Sequence, residues 1–242
     1  MSSNQRQGTF VEELLAPRRA LATPWLTWHS LSGERIELSG RVFDNWVAKS
    51  ANLLSDLFDL DEDSTVVIDL TANWKSLVLA LAALHHGATL VDAEHQDAAQ
   101  ATLWITATPQ DEHIPASSEI LAVNPAALAL SFGSDLGAVA EDFNASVRSY
   151  GDQFYPSALS STTMALKSNV GIAMTLDELF GQSVEARGTI LVRAQQPVLT
   201  LLPYLVSQWS AGDAVVLVED GLEVTDRLRE GERISFDYEP AR

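Results

Sequence analysis

Residues 65–91 have the sequence TVVIDLTANWKSLVLALAALHHGATLV, in which two apolar runs flank a helical stretch. The β-branched run Thr65–Leu70 is suited to a strand that is covered on both faces. A helix is predicted from about Trp74 to His86, and Gly87 stands where a left-handed C-cap residue is expected. Residues 88–91 are the next predicted strand. A strand, a helix and a strand within about thirty residues predict a right-handed parallel crossover, the unit of layered α/β folds.

The segments before this crossover predict a hairpin and an amphipathic helix, after a short amphipathic start at Phe10–Leu15. Trp25–His29 alternates in polarity and Arg35–Leu38 resumes after a Ser-Gly-Glu turn, which is typical of a β-hairpin. Ser39 is the predicted N-cap of a helix whose apolar residues recur at nearly 3.6-residue spacing. These apolar residues are Val42, Phe43, Trp46, Val47, Leu53, Leu54 and Leu57.

The segments after the crossover repeat its pattern, with a less regular stretch from Asn124 to Ser161. Further strands are predicted at residues 102–106, 119–123, 188–193, 214–218 and 233–236, with helices at residues 197–210 and 224–229. We therefore predict an α/β fold in which a mainly parallel β-sheet, either one sheet or two stacked sheets, is layered with helices and preceded by the N-terminal β-hairpin.

The same pattern predicts three regions along the chain. Residues 1–24 are an N-terminal helical extension, residues 25–150 a first α/β crossover subdomain, and residues 151–242 a second α/β subdomain. The seam between the subdomains is expected near residues 125–160.

Composition excludes several classes of protein. Of 242 residues, 46% are hydrophobic and 20% charged, which is typical of a globular protein rather than a disordered one. No apolar run reaches the roughly 18 residues of a bilayer-spanning helix. The N-terminus has acidic residues and no apolar central stretch, so we expect a cytoplasmic protein without a secretory signal. The absence of cysteine excludes disulfides, thiolate catalysis and cysteine-ligated metals.

The charge is strongly acidic, because 15 basic residues face 33 acidic ones and give a formal net charge of −18. Such a chain repels a phosphate backbone, so nucleic acid is not an expected partner. Only three of the basic residues are lysines: Lys49, Lys75 and Lys167. Each lysine is therefore informative about the part of the chain in which it lies.

Three stretches, residues 69–92, 160–179 and 200–219, resemble the N-terminal part of adenylate-forming enzymes. This family includes acyl-CoA synthetases, luciferases and peptide-synthetase adenylation domains, and the chain also looks like short actinobacterial proteins related to that region. The resemblance implies that Ser160-Ser-Thr-Thr-Met-Ala-Leu-Lys-Ser168 corresponds to the family's phosphate-binding loop, Ser-Gly-Thr-Thr-Gly-x-Pro-Lys-Gly. By that correspondence Ser160, Thr162, Thr163 and Lys167 are the residues of a residual phosphate loop.

The loop nevertheless departs from the family pattern, because Ser161, Met164 and Ser168 replace its glycines and Leu166 replaces its proline. A phosphate cradle needs glycine where φ is positive or where phosphate approaches the backbone. A side chain in left-handed geometry costs roughly 1–2 kcal/mol per position. A surface loop without nucleotide is therefore the favoured interpretation, and a residual nucleotide site is the alternative.

The resemblance also implies later motifs for adenine, magnesium and ribose, and a C-terminal catalytic lysine, and the sequence ends before them. We therefore assign no catalytic residue, expect no cofactor, and predict a non-catalytic relative, a pseudoenzyme, that acts by binding or association. One alternative is an acyl-activating ligase, using ATP and magnesium, that a partner subunit completes. Another is a sensor of a small acyl or adenylate ligand.

Two further predictions follow from the resemblance. The family's helix at residues 198–206 packs beside the acyl pocket, so a hydrophobic ligand cleft is predicted near Tyr204 and Trp209, with core packing as the alternative. The family's later half covers sheet faces, so a homodimer that hides an exposed apolar surface is predicted.

No metal site is predicted. Asp59–Ser64 resembles the start of an EF-hand loop, but position six is Ser64 and position twelve is Leu70, where glycine and glutamate are needed. An acidic turn between a helix and a strand is the favoured interpretation. His85 and His86 are adjacent on a predicted helix, so their side chains point about 100° apart and do not close on one ion.

Overall fold

The computed structural model describes residues 10–134, 136 and 140–238. Its α-helices are α1 (Phe10–Leu15), α2 (Gly40–Phe58), α3 (Trp74–His85), α4 (Phe143–Ser146), α5 (Leu176–Phe180), α6 (Val198–Ala211) and α7 (Asp226–Glu232). Its strands are β1 (Pro24–His29), β2 (Arg35–Ser39), β3 (Thr65–Asp69), β4 (Thr89–Val91), β5 (Leu103–Thr106), β6 (Glu119–Ala122), β7 (Ala140–Asp142), β8 (Met164–Lys167), β9 (Ala173–Thr175), β10 (Thr189–Ala194), β11 (Ala214–Glu219) and β12 (Phe236–Asp237).

These strands form two sheets. The first sheet has the order β12-β10-β11-β1-β2, and the second sheet has the order β7-β6-β5-β3-β4-β8-β9. Neighbouring strands are parallel except for β1 with β2 and β8 with β9. The predicted α/β class, the N-terminal hairpin and the parallel crossover from β3 through α3 to β4 are confirmed. Of the two arrangements left open, two sheets is the one observed.

The sheets do not divide the chain at residue 150. The N-terminal hairpin joins the first sheet, where β1 pairs in parallel with β11 and Leu26 faces Val215. Conversely, β8 pairs with β4 in the second sheet, where Leu90 faces Leu166. These pairings join residues far apart in sequence, and no local periodicity encodes them. The boundary between subdomains at residue 150 stays a prediction, but each sheet contains strands from both sides of that boundary.

Helix α3 lies in the centre of the molecule, because all twelve of its residues are buried. Its apolar side chains belong to one continuous core that includes residues of both sheets, α2 and α6. An aromatic cluster forms part of this core, with the ring centroid of Trp209 5.1 Å from that of Trp25 and 5.4 Å from that of Phe43.

The local signals at helix ends are largely confirmed. Ser39 accepts a hydrogen bond from the backbone N–H of Val42 and begins α2. Gly87 follows α3 with φ of 81°, and Gly212 ends α6 with φ of 104°. The helix predicted at residues 197–210 begins at Val198, and Pro197 is its N-cap residue, where the absence of an N–H group costs no helical hydrogen bond. Among the helices of the described residues, none is long and apolar enough to cross a bilayer.

Candidate functional site

The phosphate-loop-like segment, residues 160–168, consists of a turn followed by β8. Thr163 N–H donates to the carbonyl oxygen of Ser160 at 3.1 Å, and Thr162 N–H donates to Ser160 Oγ at 3.3 Å. Ser160 Oγ also lies 2.9 Å from Thr162 Oγ1. The N–H groups of Thr162 and Thr163 therefore already donate to Ser160 and are not free to donate to an anion.

The backbone of this segment lacks the left-handed residues of an anion-binding nest. No residue from 160 to 168, all of which are described, has a positive φ. An anion-binding nest needs successive N–H groups to converge through an alternation of right- and left-handed residues. The carbonyl oxygens of Ser161 and Thr163 point instead to α5, where they accept from the N–H groups of Asp177 and Leu176. The segment is therefore a closed turn fixed to the following helix.

Lys167, the cation of the predicted site, has an acidic partner. Its Nζ donates to Asp97 Oδ2 at 2.7 Å, and this hydrogen bond lowers the pKa of Asp97. Two further carboxylates lie beside the end of the segment, because Asn169 N–H donates to Asp92 and the Asn169 side chain donates to Glu94. One ammonium group among three carboxylates is a poor site for a triphosphate.

The two residues of the predicted ligand cleft are not brought together. Trp209 is 1% exposed within the aromatic cluster, and it lines a cavity of about 220 Å³ next to α1. Tyr204 is on another face of α6, where its ring stacks on that of Tyr238 with centroids 3.8 Å apart. Of the pair, Tyr204 alone lines a larger cavity of about 470 Å³.

This larger cavity, which we call the α6 cavity, contains the predicted Tyr204 together with two polar residues of the same helix, Thr200 and Gln208, that sequence reasoning missed. Thr200, Tyr204 and Gln208 line it together with Arg187 and Phe236. The polar atoms Thr200 Oγ1, Tyr204 OH and Gln208 Oε1 are buried without a hydrogen-bond partner. Burial raises the pKa of Tyr204 from 10 to about 12. The spacing of these residues could have predicted a shared polar face, since three polar residues recur every four positions in an otherwise mostly apolar helix.

The residues considered for metal binding have structural roles. Asp59 is the C-cap of α2 in left-handed geometry, and Asp61 accepts a hydrogen bond from Ser64 Oγ, which makes this segment the expected acidic turn. His86 Nε2 lies 2.9 Å from the carbonyl oxygen of Ala51. His85 is buried at the end of α3, and burial lowers its pKa to about 3.

Comparison with known proteins identifies the architecture. The chain superposes on the acyl-CoA synthetase of Brucella canis with a TM-score of 0.77 and 16% identity, over 98% of this chain and 48% of that one. It superposes on the N-terminal domain of FACL13 from Mycobacterium tuberculosis with a TM-score of 0.65 and 14% identity, over 94% and 62%. The chain therefore has the fold of the N-terminal domain of acyl-CoA synthetases.

A sequence relative has a higher identity to the chain than these two structures. A TIGR03089 family protein of Mycobacterium tuberculosis is 32% identical over 139 residues, which are 55% of this chain and 56% of that protein. No family model matches the chain. The chain thus matches about half the length of this relative and of the Brucella canis synthetase.

Proposed function

We propose that this protein is a non-adenylating domain of acyl-CoA synthetase-like fold that acts by binding or association. The observation behind the proposal is the closed turn at residues 160–163, whose Thr162 and Thr163 amides donate to Ser160. Adenylation needs preorganised donors aimed at the charge that develops on the transferring phosphate. A turn whose donors are already bonded within the chain does not supply them.

The charges around the turn support the same proposal. Lys167 would have to leave Asp97 before it could reach a phosphate group, and Asp92, Glu94 and Asp97 would remain nearby. A magnesium ion could offset some of this charge, but it would not open the turn. No catalytic residue is therefore assigned, and no ATP or magnesium is expected to bind at residues 160–168.

The test is pyrophosphate exchange with magnesium-ATP and a panel of carboxylic acids, run on the wild-type chain and on Lys167→Ala. We expect no exchange above background in either protein, and no movement of the Thr162 and Thr163 amide resonances when magnesium-ATP is added. Exchange that is present in the wild type and lost in Lys167→Ala overturns the proposal. Such exchange would instead support an acyl-activating ligase.

The second candidate function is a small-molecule sensor, and the α6 cavity is the observation that favours it. A cavity of about 470 Å³ is within the range of sites for small ligands. Association is supported by Leu128 and Leu130, which are 68% and 71% exposed. The proposal includes a homodimer and a cytoplasmic location, the latter to be tested by fractionation of cells that produce the tagged chain.

A further inference from the structure

Three polar side chains lie on one face of α6. Thr200, Tyr204 and Gln208 are four residues apart, so they share a face of the helix, and all three line the α6 cavity. The remaining buried residues of α6 are mostly leucine and valine. A polar stripe on a helix with this composition is not explained by packing against the apolar core.

The stripe has unmet hydrogen-bonding capacity. Thr200 Oγ1, Tyr204 OH and Gln208 Oε1 have neither a partner nor contact with solvent, and Gln208 is only 3% exposed. Buried polar atoms in native proteins are paired in the great majority of cases, because an unpaired one costs free energy. Three such atoms beside one cavity indicate that a hydrogen-bonding partner belongs there.

The mouth of the cavity has a positive charge. The exposed Arg187 lies over the ring of Phe236, with its guanidinium carbon 4.2 Å from the ring centroid. Among the described residues, no carboxylate lies within ion-pair distance of this guanidinium group. The carboxylate of Asp213 accepts from the backbone N–H of Arg187 at 2.7 Å, not from its guanidinium group, so in a chain of net charge −18 this guanidinium group is a local site of attraction for an anion.

We propose that the α6 cavity binds a small organic anion that also has a hydroxyl or amide group. Arg187 attracts the anionic group, and the stripe of Thr200, Tyr204 and Gln208 exchanges hydrogen bonds with the polar group. A plain acyl chain would leave the stripe unpaired. This inference deepens the proposed binding function and rests on it.

The aromatic residues of the cavity define the body of the ligand. The rings of Phe236 and Tyr238 and the side chain of Met174 line the same cavity, and they suit an aromatic or short apolar body. Because the polar atoms of the stripe have no solvent contact, binding includes a side-chain rotation of Tyr204 or Tyr238. Rotations of this kind are common when a ligand binds.

The first experiment compares matched probes by isothermal titration calorimetry on the full chain. The complete probe is 4-hydroxybenzenesulfonate; benzenesulfonate lacks the hydroxyl group, 4-hydroxybenzenesulfonamide lacks the charge, and octanoate is a plain acyl chain. We expect 4-hydroxybenzenesulfonate to bind at millimolar concentration or below and the other three to bind at least about threefold more weakly. Failure of the complete probe to bind at 10 mM, roughly the upper limit for a specific site of this size, overturns the inference.

The second experiment uses variants of the cavity. Arg187→Gln is expected to weaken 4-hydroxybenzenesulfonate about tenfold and to leave the uncharged sulfonamide unchanged. Arg227→Gln, at an exposed arginine of α7, is the matched control and is expected to change neither. Equal effects of the two arginine variants on the sulfonate contradict the assignment of Arg187.

Tyr204→Phe separates a binding role from a structural one. It is expected to weaken the complete probe about threefold to tenfold, because one hydrogen bond is lost. Without ligand, its melting temperature is expected to equal or exceed that of the wild type, since the removed hydroxyl has no partner. A lower melting temperature shows that the hydroxyl is already paired and overturns the inference.

These results are independent of the test for adenylation. A sulfonate cannot be activated as a carboxylate is, so its binding reports on the α6 cavity alone. Pyrophosphate exchange that depends on Lys167 overturns the proposed function whether or not the sulfonate binds. Absence of sulfonate binding overturns this inference and does not affect the proposal of a non-adenylating domain, which rests on the closed turn at residues 160–163.

Discussion

Acidification is expected to destabilise this protein through His85. The side chain is 4% exposed at the end of α3, and its ring centroid is 5.4 Å from that of Phe154. Burial is the main cause that lowers its pKa from 6.5 to about 3, and the neighbouring His86 lowers it further. The folded chain therefore keeps this imidazole neutral over a pH range in which the unfolded chain protonates it.

The sign of the effect follows from proton binding. Between pH 6.5 and pH 3 the unfolded state binds more protons at this position, so stability present above pH 6.5 is lost as the pH falls. The two pKa values correspond to a loss of about 2 kcal/mol at pH 5 and about 4 kcal/mol at pH 3. A loss of 2 kcal/mol is a large fraction of the stability of an ordinary domain.

The assay is urea unfolding followed by tryptophan fluorescence at pH 7.5 and pH 5.0, on the wild type, His85→Gln and His113→Gln. The glutamine variant of His85 has no titrating group, so it is expected to lose about 2 kcal/mol less than the wild type between these pH values. His113 is exposed and paired with Asp111, which makes its variant the control for a histidine outside the core. Equal losses in the wild type and His85→Gln refute the reasoning.

Three other predictions concern Lys75, Trp209 and association. Lys75 is 2% exposed, and burial lowers its pKa to about 8. Above pH 8 the unfolded state therefore binds more protons at this position than the folded state does. In the same urea assay, the unfolding free energy of the wild type should rise by about 2 kcal/mol from pH 7 to 9.5, relative to that of Lys75→Met. Trp209→Ala removes a core ring and should cost about 3–5 kcal/mol, and a loss below 1 kcal/mol in urea would place the ring outside the core. Sedimentation velocity at micromolar concentration should give twice the 26.3 kDa monomer mass, and a single 26.3 kDa species contradicts the homodimer.

Much of the fold was predictable because its signals are local. The run from Thr65 to Asp69 and the glycines at positions 87 and 212 mark their elements through side-chain periodicity and backbone conformation alone. The assignment of strands to sheets was not predictable in this way. Pairing of β1 with β11 depends on contacts across nearly the whole chain, and nothing in Pro24–His29 itself selects that partner.

The candidate site was predictable only in part, for a related reason. The replacement of the family's glycines concerns the backbone of the segment itself, which has no left-handed residue, while nucleotide binding by the segment stays a matter of prediction. The partner of Lys167 was not predictable, since Asp97 lies 70 residues away in the 3₁₀-helix Gln96–Gln100 that follows β4. The polar stripe of α6 was readable from its spacing, but its burial without partners depends on neighbours in β12 and beyond.

The three lysines show what this chain does with its few ammonium groups. Lys49 donates to the carbonyl oxygen of Tyr150, and Lys75 donates to those of Asn124 and Ala126. Lys167 forms an ion pair with Asp97. Each lysine thus joins two segments that are distant in sequence, and the ammonium group at the position of the family's phosphate-loop lysine is used in the same manner as the others. Freeing that group would remove a contact between β8 and the 3₁₀-helix at Gln96–Gln100 without opening the amides of residues 162 and 163, so we do not expect this lysine alone to make a nucleotide site.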